Sequence, residues 1–227
     1  QTFRMAVKTL AKRHGLSASF MPKLFENENG SGMHFKISAF DDNGKNIFED
    51  NAKLSDRAKS TIAGILHHAR ELSLINNHLV NSYKRLKPNF DAPVYVSWSS
   101  NSNRSALLRI PTERNNQIKL ELRSPDSATN PYLCIAMLIY SILDGLESSM
   151  ELEDAINENM YSGKNYNIKK LPDTLSEAID EFESSNFVKE KLGTQIFNEY
   201  IEAKKIEWNE FNNAITDWEI KKYLERF

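Results

Sequence analysis

Three stretches of this chain carry side chains suited to chemistry on an anion. The first is Asn29-Gly30-Ser31-Gly32-Met33-His34-Phe35-Lys36-Ile37-Ser38. On a strand, His34, Lys36 and Ser38 share one face. The two glycines before them let a ligand come close to the main chain. A neutral imidazole can bind a divalent metal, and an ammonium group can meet phosphate. The second stretch is Lys119-Leu120-Glu121-Leu122-Arg123. Its alternation turns two leucines to a core and puts Lys119, Glu121 and Arg123 on the other face. A cation–anion–cation row suits a site for metal, phosphate and carboxylate. The third is a spread of cations: Lys84 and Arg85 after Tyr83, Arg104 after a polar run, and Arg109 inside the apolar Leu107–Pro111. An arginine among apolar residues is costly unless paired, and several together favour a polyanion. Each pattern has a plain alternative, a solvated strand face or a structural arginine. His67 and His68 are adjacent on a helix and lack the i, i+4 spacing of a metal pair. With His14 and His78 they read as structural or surface residues, and Cys134 as a small packed one.

The elements that must hold these residues follow from periodicity. Residues 2–14 read as a helix ended by Gly15, and 33–40 as a strand leading into the turn Asp41-Asp42-Asn43-Gly44. Ser55 caps a helix whose buried stripe is Ala58, Ile62, Ile65, Leu66, Ala69 and Leu72. Residues 76–92 read as irregular. Residues 94–98, 106–110 and 117–123 read as strands. Asn130-Pro131 opens a helix that is apolar on nearly every face, which predicts a central position. Tyr161 lies in a polar loop. Thr174-x-x-Glu177 is a capping box, and Gly193 breaks the helical region that follows. Strands and helices first and helices only after residue 147 predict an α+β fold rather than a βαβ alternation.

The 227 residues can bury a sizeable core. With 29 Lys+Arg against 31 Asp+Glu, a whole-protein basic field for nucleic acid is excluded. One cysteine excludes a disulfide framework and fits a reducing cytoplasm. The longest apolar run, 132–143, is too short for a membrane span.

Taken in order, several segments resemble glutamine synthetase in its bacterial type I form. They are Phe20-Met21-Pro22-Lys23, Asn29–His34, Asn81–Leu86, Ala92-Pro93-Val94, Asn103–Ala106, Arg109-Ile110-Pro111, Glu121-x-Arg123-x-Pro125-Asp126 and Asn130–Leu133. The resemblance covers essentially the whole chain and implies the family's curved antiparallel sheet backed by helices, here the C-terminal part of the catalytic domain. It implies a sheet-and-helix part over 1–146 and a mainly helical part over 147–227, with the N-terminal β-grasp domain outside these residues. The implied reaction joins ammonia to glutamate with ATP through γ-glutamyl phosphate, helped by divalent Mg or Mn. By position, His34 and Glu121 look like metal ligands. Asn29, Gly30, Arg85 and Arg123 look like glutamate contacts. Lys36, Ser38, Arg104, Arg109 and Lys119 look like ATP contacts. Asp91, Arg104 and Arg123 take the catalytic positions.

Three positions depart from the family pattern. Lys36 stands where a second histidine is usual, and Lys119 where an arginine is, so bidentate geometry is lost. Asp91 replaces the glutamate of the flap that closes the site and helps deprotonate the incoming ammonium; it is one methylene shorter. The family's further metal-binding glutamates lie upstream of these residues, which implies that this segment does not catalyse alone. The implied assembly is a homo-oligomer, a double-ring dodecamer, with no nucleic-acid or membrane partner. Tyr161 falls where some bacterial members carry an adenylylated tyrosine. Two other readings compete: a ligase joining glutamate to a larger amine or polyamine, and a non-catalytic paralogue.

Overall fold

The computed structural model describes residues 1–51, 53–88, 91–111, 118–162 and 167–227. Helix α1 (Thr2–Arg13) precedes β1 (Phe35–Ile37) and a small hairpin of β2 (Glu49–Asp50) and β3 (Lys53–Leu54). Helices α2 (Asp56–His67), α3 (Ser73–Asn76) and α4 (Val80–Arg85) lead to β4 (Tyr95–Ser99), β5 (Ala106–Arg109) and β6 (Leu120–Leu122). Five helices follow: α5 (Pro131–Glu147), α6 (Leu175–Glu183), α7 (Asn186–Leu192), α8 (Thr194–Asn213) and α9 (Asp217–Tyr223). The α+β class is the one the sequence predicts.

The strands assemble in the order β1-β6-β5-β4. β6 runs antiparallel to both β1 and β5, while β4 and β5 are parallel. That parallel pair is the departure from a wholly antiparallel sheet. Its connection is short for a parallel crossover, and it is folded tightly by its own asparagines. Asn101 Oδ1 accepts from the Asn103 amide at 2.8 Å, and Asn103 Oδ1 from the Ser105 amide at 3.0 Å. The last predicted strand starts at Gln117, which lies outside the described residues; the observed β6 begins at Leu120.

Helix α2 forms where the cap and stripe predict it, with Ser55 Oγ accepting from the Ala58 amide at 3.1 Å. It crosses α5 at a glycine pair. A Cβ on Gly64 would sit 2.3 Å from the Ser141 carbonyl, and one on Gly145 2.2 Å from that of Ser60. The two backbones touch because neither residue has a side chain. One face of α5 is buried here through Cys134, Met137 and Leu138, but Tyr132, Ile135, Ile139 and Leu143 are exposed. The helix is therefore not central: α2 covers only one of its apolar faces.

Helix α4 lies inside the stretch that reads as irregular. It is short, and its first amide is satisfied from far along the chain, by Glu207 Oε1 of α8 at 3.2 Å. The residues after 147 share the core of the sheet through Leu171, Leu175, Phe182 and Phe197. They also extend the sheet edge, since the Leu171 amide donates to the Val94 carbonyl at 2.8 Å. Thr174 caps α6, while Glu177 reaches the Asp173 amide instead of completing the box on Thr174. No described helix is long and apolar enough to cross a membrane.

Candidate functional site

Glu121 is the centre of the site. It lies on the middle of β6, in register with Lys36 of β1 on one side and Arg109 of β5 on the other. Its Oε1 accepts from Arg109 Nε at 3.0 Å and stands 3.6 Å from Arg123 Nε. The side chains of Glu121 and Arg123 are each only 4% exposed, so this row is no solvated strand face. Leu120 and Leu122 fill the core on the opposite face, as the alternation requires. Two arginines around one carboxylate leave an excess of positive charge. Arg123 Nε is buried with no hydrogen bond of its own and faces Glu121 Oε1.

His34, one residue before β1, places Nδ1 3.3 Å from Glu121 Oε1. Burial and then the charge of Arg123 push its pKa down to about 4, despite the opposing pull of Glu121. The imidazole is therefore neutral near pH 7, the form that ligates a metal. His34, Lys36 and Ser38 occupy the exposed positions of the alternating edge, as predicted. Among the described residues no group of three His, Cys, Asp or Glu side chains gathers around a point. His34 and Glu121 stand as an adjacent pair of possible donors, 3.3 Å apart.

Arg85 is buried beneath these groups. Its Nη1 donates to the Ser124 carbonyl at 2.8 Å and its Nη2 to that of Arg123 at 3.2 Å. The two glycines of the first stretch make room for it. A Cβ on Gly30 would meet the Pro22 carbonyl at 2.5 Å and Arg85 Cγ at 2.7 Å, and one on Gly32 would meet Arg85 Nη2 at 2.7 Å. The close approach predicted for a ligand is made by the protein's own arginine.

Asp91 sits at the rim with φ +54°, a left-handed conformation unusual outside glycine. Its carboxylate accepts from Arg104 Nη1 at 2.8 Å and lies 3.5 Å from Asn29 Nδ2. Arg123 ties this rim to the buried cluster, with Nη2 donating to the Asp91 carbonyl at 3.1 Å and Nη1 to the Arg104 carbonyl. Asn29, Asp91, Arg104, Arg109, Glu121, Arg123 and His34 are thereby brought together. Lys119 precedes β6 on the Glu121 side of the sheet, and Ser38 lies beyond the end of β1.

Sequence reasoning missed the part played by Tyr161. It is no plain exposed loop residue: its hydroxyl is half-buried and donates to the Ala92 carbonyl. A group added to that oxygen would displace this bond. No local spacing signals a contact between residues so far apart in the chain. Of the histidines away from the site, His14 and His67 are exposed surface residues. His68 is buried between Glu71 and Asp144 and stacks on Phe187. Cys134 packs in the core beside Asn76.

A mixed sheet that sets a buried carboxylate and a neutral imidazole inside a group of arginines defines a site suited to an anion. Comparison with known proteins gives the family. The model of the glutamine synthetase catalytic domain matches residues 1–223. The chain is similar to the glutamine synthetase of Methanosarcina mazei, at 45% identity over 98% of this chain and 51% of that protein. It is similar to that of Staphylococcus epidermidis at 39% identity over 100% of this chain and 52% of that protein. A solved structure described as "Apo GmaS without ligand" superposes with a TM-score of 0.87 and 33% identity, covering 98% of this chain and 52% of that one. The chain belongs to the glutamine synthetase family, whose catalytic domain it matches. It spans about half the length of the curated relatives it matches.

Proposed function

We propose that the complete protein joins ammonia to glutamate at the expense of ATP, through γ-glutamyl phosphate. This chain supplies the anion-binding wall of the site. The observation that carries the reading is the buried Glu121 held between Arg109 and Arg123 with neutral His34 beside it. In that arrangement Arg123 and Arg109 meet the transferred phosphoryl oxygens, and Arg104 lies within reach of the same charge. Asn29 lies beside the glutamate, over a floor stiffened by Arg85 packed beneath Gly30, with Lys36, Ser38 and Lys119 on the nucleotide side. A divalent ion, Mg or Mn, fits the donor pair of His34 and Glu121, joined by donors beyond the described residues. When bound it neutralises phosphate charge. Asp91 takes the proton that the incoming ammonium releases. Assembly as a homo-oligomer belongs to the same reading.

The test is formation of γ-glutamyl hydroxamate and of glutamine by the complete protein, supplied with glutamate, ATP and either metal. Product with hydroxylamine or ammonia supports the reading, and no product with either sinks it. A second reading, ligation of glutamate to a larger amine, is favoured by one feature. Asp91 is shorter than the family glutamate and stands at an open cleft of about 740 Å³ lined by Asn101, Asn103, Asn157 and Asn159. An amine panel separates the two, since the second reading requires a lower KM for an alkylamine than for ammonium.

A further inference from the structure

The Asp91–Ala92 segment is gripped from two sides. Arg123 Nη2 donates to the Asp91 carbonyl at 3.1 Å, and Tyr161 Oη donates to the next carbonyl, that of Ala92. Arg123 reaches from the residue after β6 through the site. Tyr161 reaches from the opposite direction, at the end of a strap that crosses the edge of the sheet.

That strap is firmly mounted. The Glu153 carbonyl accepts from Trp98 Nε1 at 2.7 Å, and the Ile156 amide donates to the Trp98 carbonyl at 2.9 Å. Asn157 Oδ1 accepts from Ser99 Oγ at 2.9 Å, and the Met160 amide donates to Ser105 Oγ at 3.1 Å. Met160 is buried, and the Tyr161 amide is fixed by Asn159 Oδ1 at 3.0 Å. Tyr161 is therefore held by groups on both β4 and the loop before β5, and its ring stands beside Tyr95. Burial pushes its hydroxyl up to a pKa of about 12, so it remains a donor at neutral pH.

Asp91 needs such support. Aspartate tolerates φ +54° better than most residues, but the conformation still costs energy that its surroundings must offset. Released, the backbone relaxes toward negative φ and carries the carboxylate away from Arg104 and Asn29.

From this geometry we infer that Tyr161 is a positioning residue: its bond to the Ala92 carbonyl holds the Asp91 carboxylate at the mouth of the Asn-lined cleft, where the amine arrives. The inference rests on the ligase reading for the role of Asp91. The bond itself stands apart from that reading, so the experiment has two arms.

Tyr161→Phe is compared with wild type in the complete protein, by amide hydrogen exchange over residues 91–96 and by steady-state kinetics. Exchange of this segment is expected to quicken by about ten-fold, as a local contact is lost without global unfolding. The amine KM is expected to rise by about ten-fold while the ATP KM changes by less than about two-fold. Unchanged exchange overturns the inference whatever the kinetics. Faster exchange with an unchanged amine KM also overturns it, because the contact is then merely structural. A wild type that forms no γ-glutamyl product overturns the ligase reading instead, and the exchange arm still decides whether Tyr161 holds the segment.

Discussion

Glu121 and Arg109 face each other across two neighbouring strands, and Arg109 Nε donates to Glu121 Oε1 at 3.0 Å. Glu121 is buried and Arg109 partly so, and the same carboxylate oxygen also faces His34 and Arg123. One acidic residue therefore balances two arginines while remaining within reach of a neutral imidazole. A buried ion pair gives little net stability by itself, but removing one partner strands the other charge.

Glu121→Gln tests this balance. The amide keeps one acceptor but no charge, and Arg109 and Arg123 are left repelling each other where water only partly screens them. A loss of about 3 kcal/mol in unfolding free energy is expected, read from the urea midpoint. On the ligase reading, kcat of the complete protein should also fall by about a hundred-fold or more, because the carboxylate that orients Arg109 and Arg123 toward the phosphoryl oxygens is neutralised. An unchanged midpoint would show that the cluster is not held by this charge.

His34 sets a pH dependence whose sign is defined. Its folded pKa is about 4 against 6.5 for the free side chain. Between those values the unfolded chain binds more protons than the folded one, so stability rises with pH through that window. Below the window the penalty is complete, and above it there is none. His34→Asn should flatten the slope between pH 4 and 6.5 that wild type shows in denaturant titrations. Identical slopes in the two proteins would contradict a depressed pKa.

Periodicity made the strand faces legible. Alternation alone puts His34, Lys36 and Ser38 on one edge and sends Leu120 and Leu122 into the core. Caps did the same for α2 and α5, where Ser55 and Asn130 bond the amides expected of them. What stayed hidden was decided by partners far along the chain. Nothing near Glu121 reveals that Arg109 and Arg123 enclose it, so its row reads equally well as a solvated face. Helix α4 depends on Glu207. The outer face of α5 is as apolar as its inner one, and only the position of α2 tells them apart. Gly30 and Gly32 announce a close approach, but Arg85, not a ligand, makes it.

His68 titrates in the opposite sense from His34. Burial lowers its pKa, but hydrogen bonds and charges from Glu71 and Asp144 outweigh burial and raise it. Nε2 lies 2.8 Å from Asp144 Oδ2, and the ring stacks on Phe187 at 3.7 Å. A raised folded pKa gives stability that is fully present below the unfolded value of 6.5 and is lost as pH climbs through the folded value. His68→Gln should therefore cost stability at pH 6 and progressively less above neutrality. Paired melting curves at pH 6 and pH 9 check this. An equal loss at both would mean that packing against Phe187, not charge, is what His68 provides.

The contact between Gly64 and Gly145 lets two opposing effects be weighed. By helix propensity alone, Gly64→Ala should stabilise α2 by about 1 kcal/mol. The added methyl would lie 2.3 Å from the Ser141 carbonyl and 2.8 Å from Gly145 Cα, both main-chain atoms that cannot swing aside. Separating the helices to admit it opens the packing of Ile65 and Met137 in the shared core. Overpacking of this kind costs about 1–3 kcal/mol, and with two backbones in contact the upper end applies. The clash outweighs propensity, so a net loss of about 2 kcal/mol is expected. Gly44→Ala provides a contrast: no atom lies within 4 Å of its Cβ position, but its φ of +75° makes any loss a matter of backbone strain alone. Urea midpoints of the two variants separate close approach from strain, and a Gly64→Ala protein more stable than wild type would show that α2 and α5 can part freely.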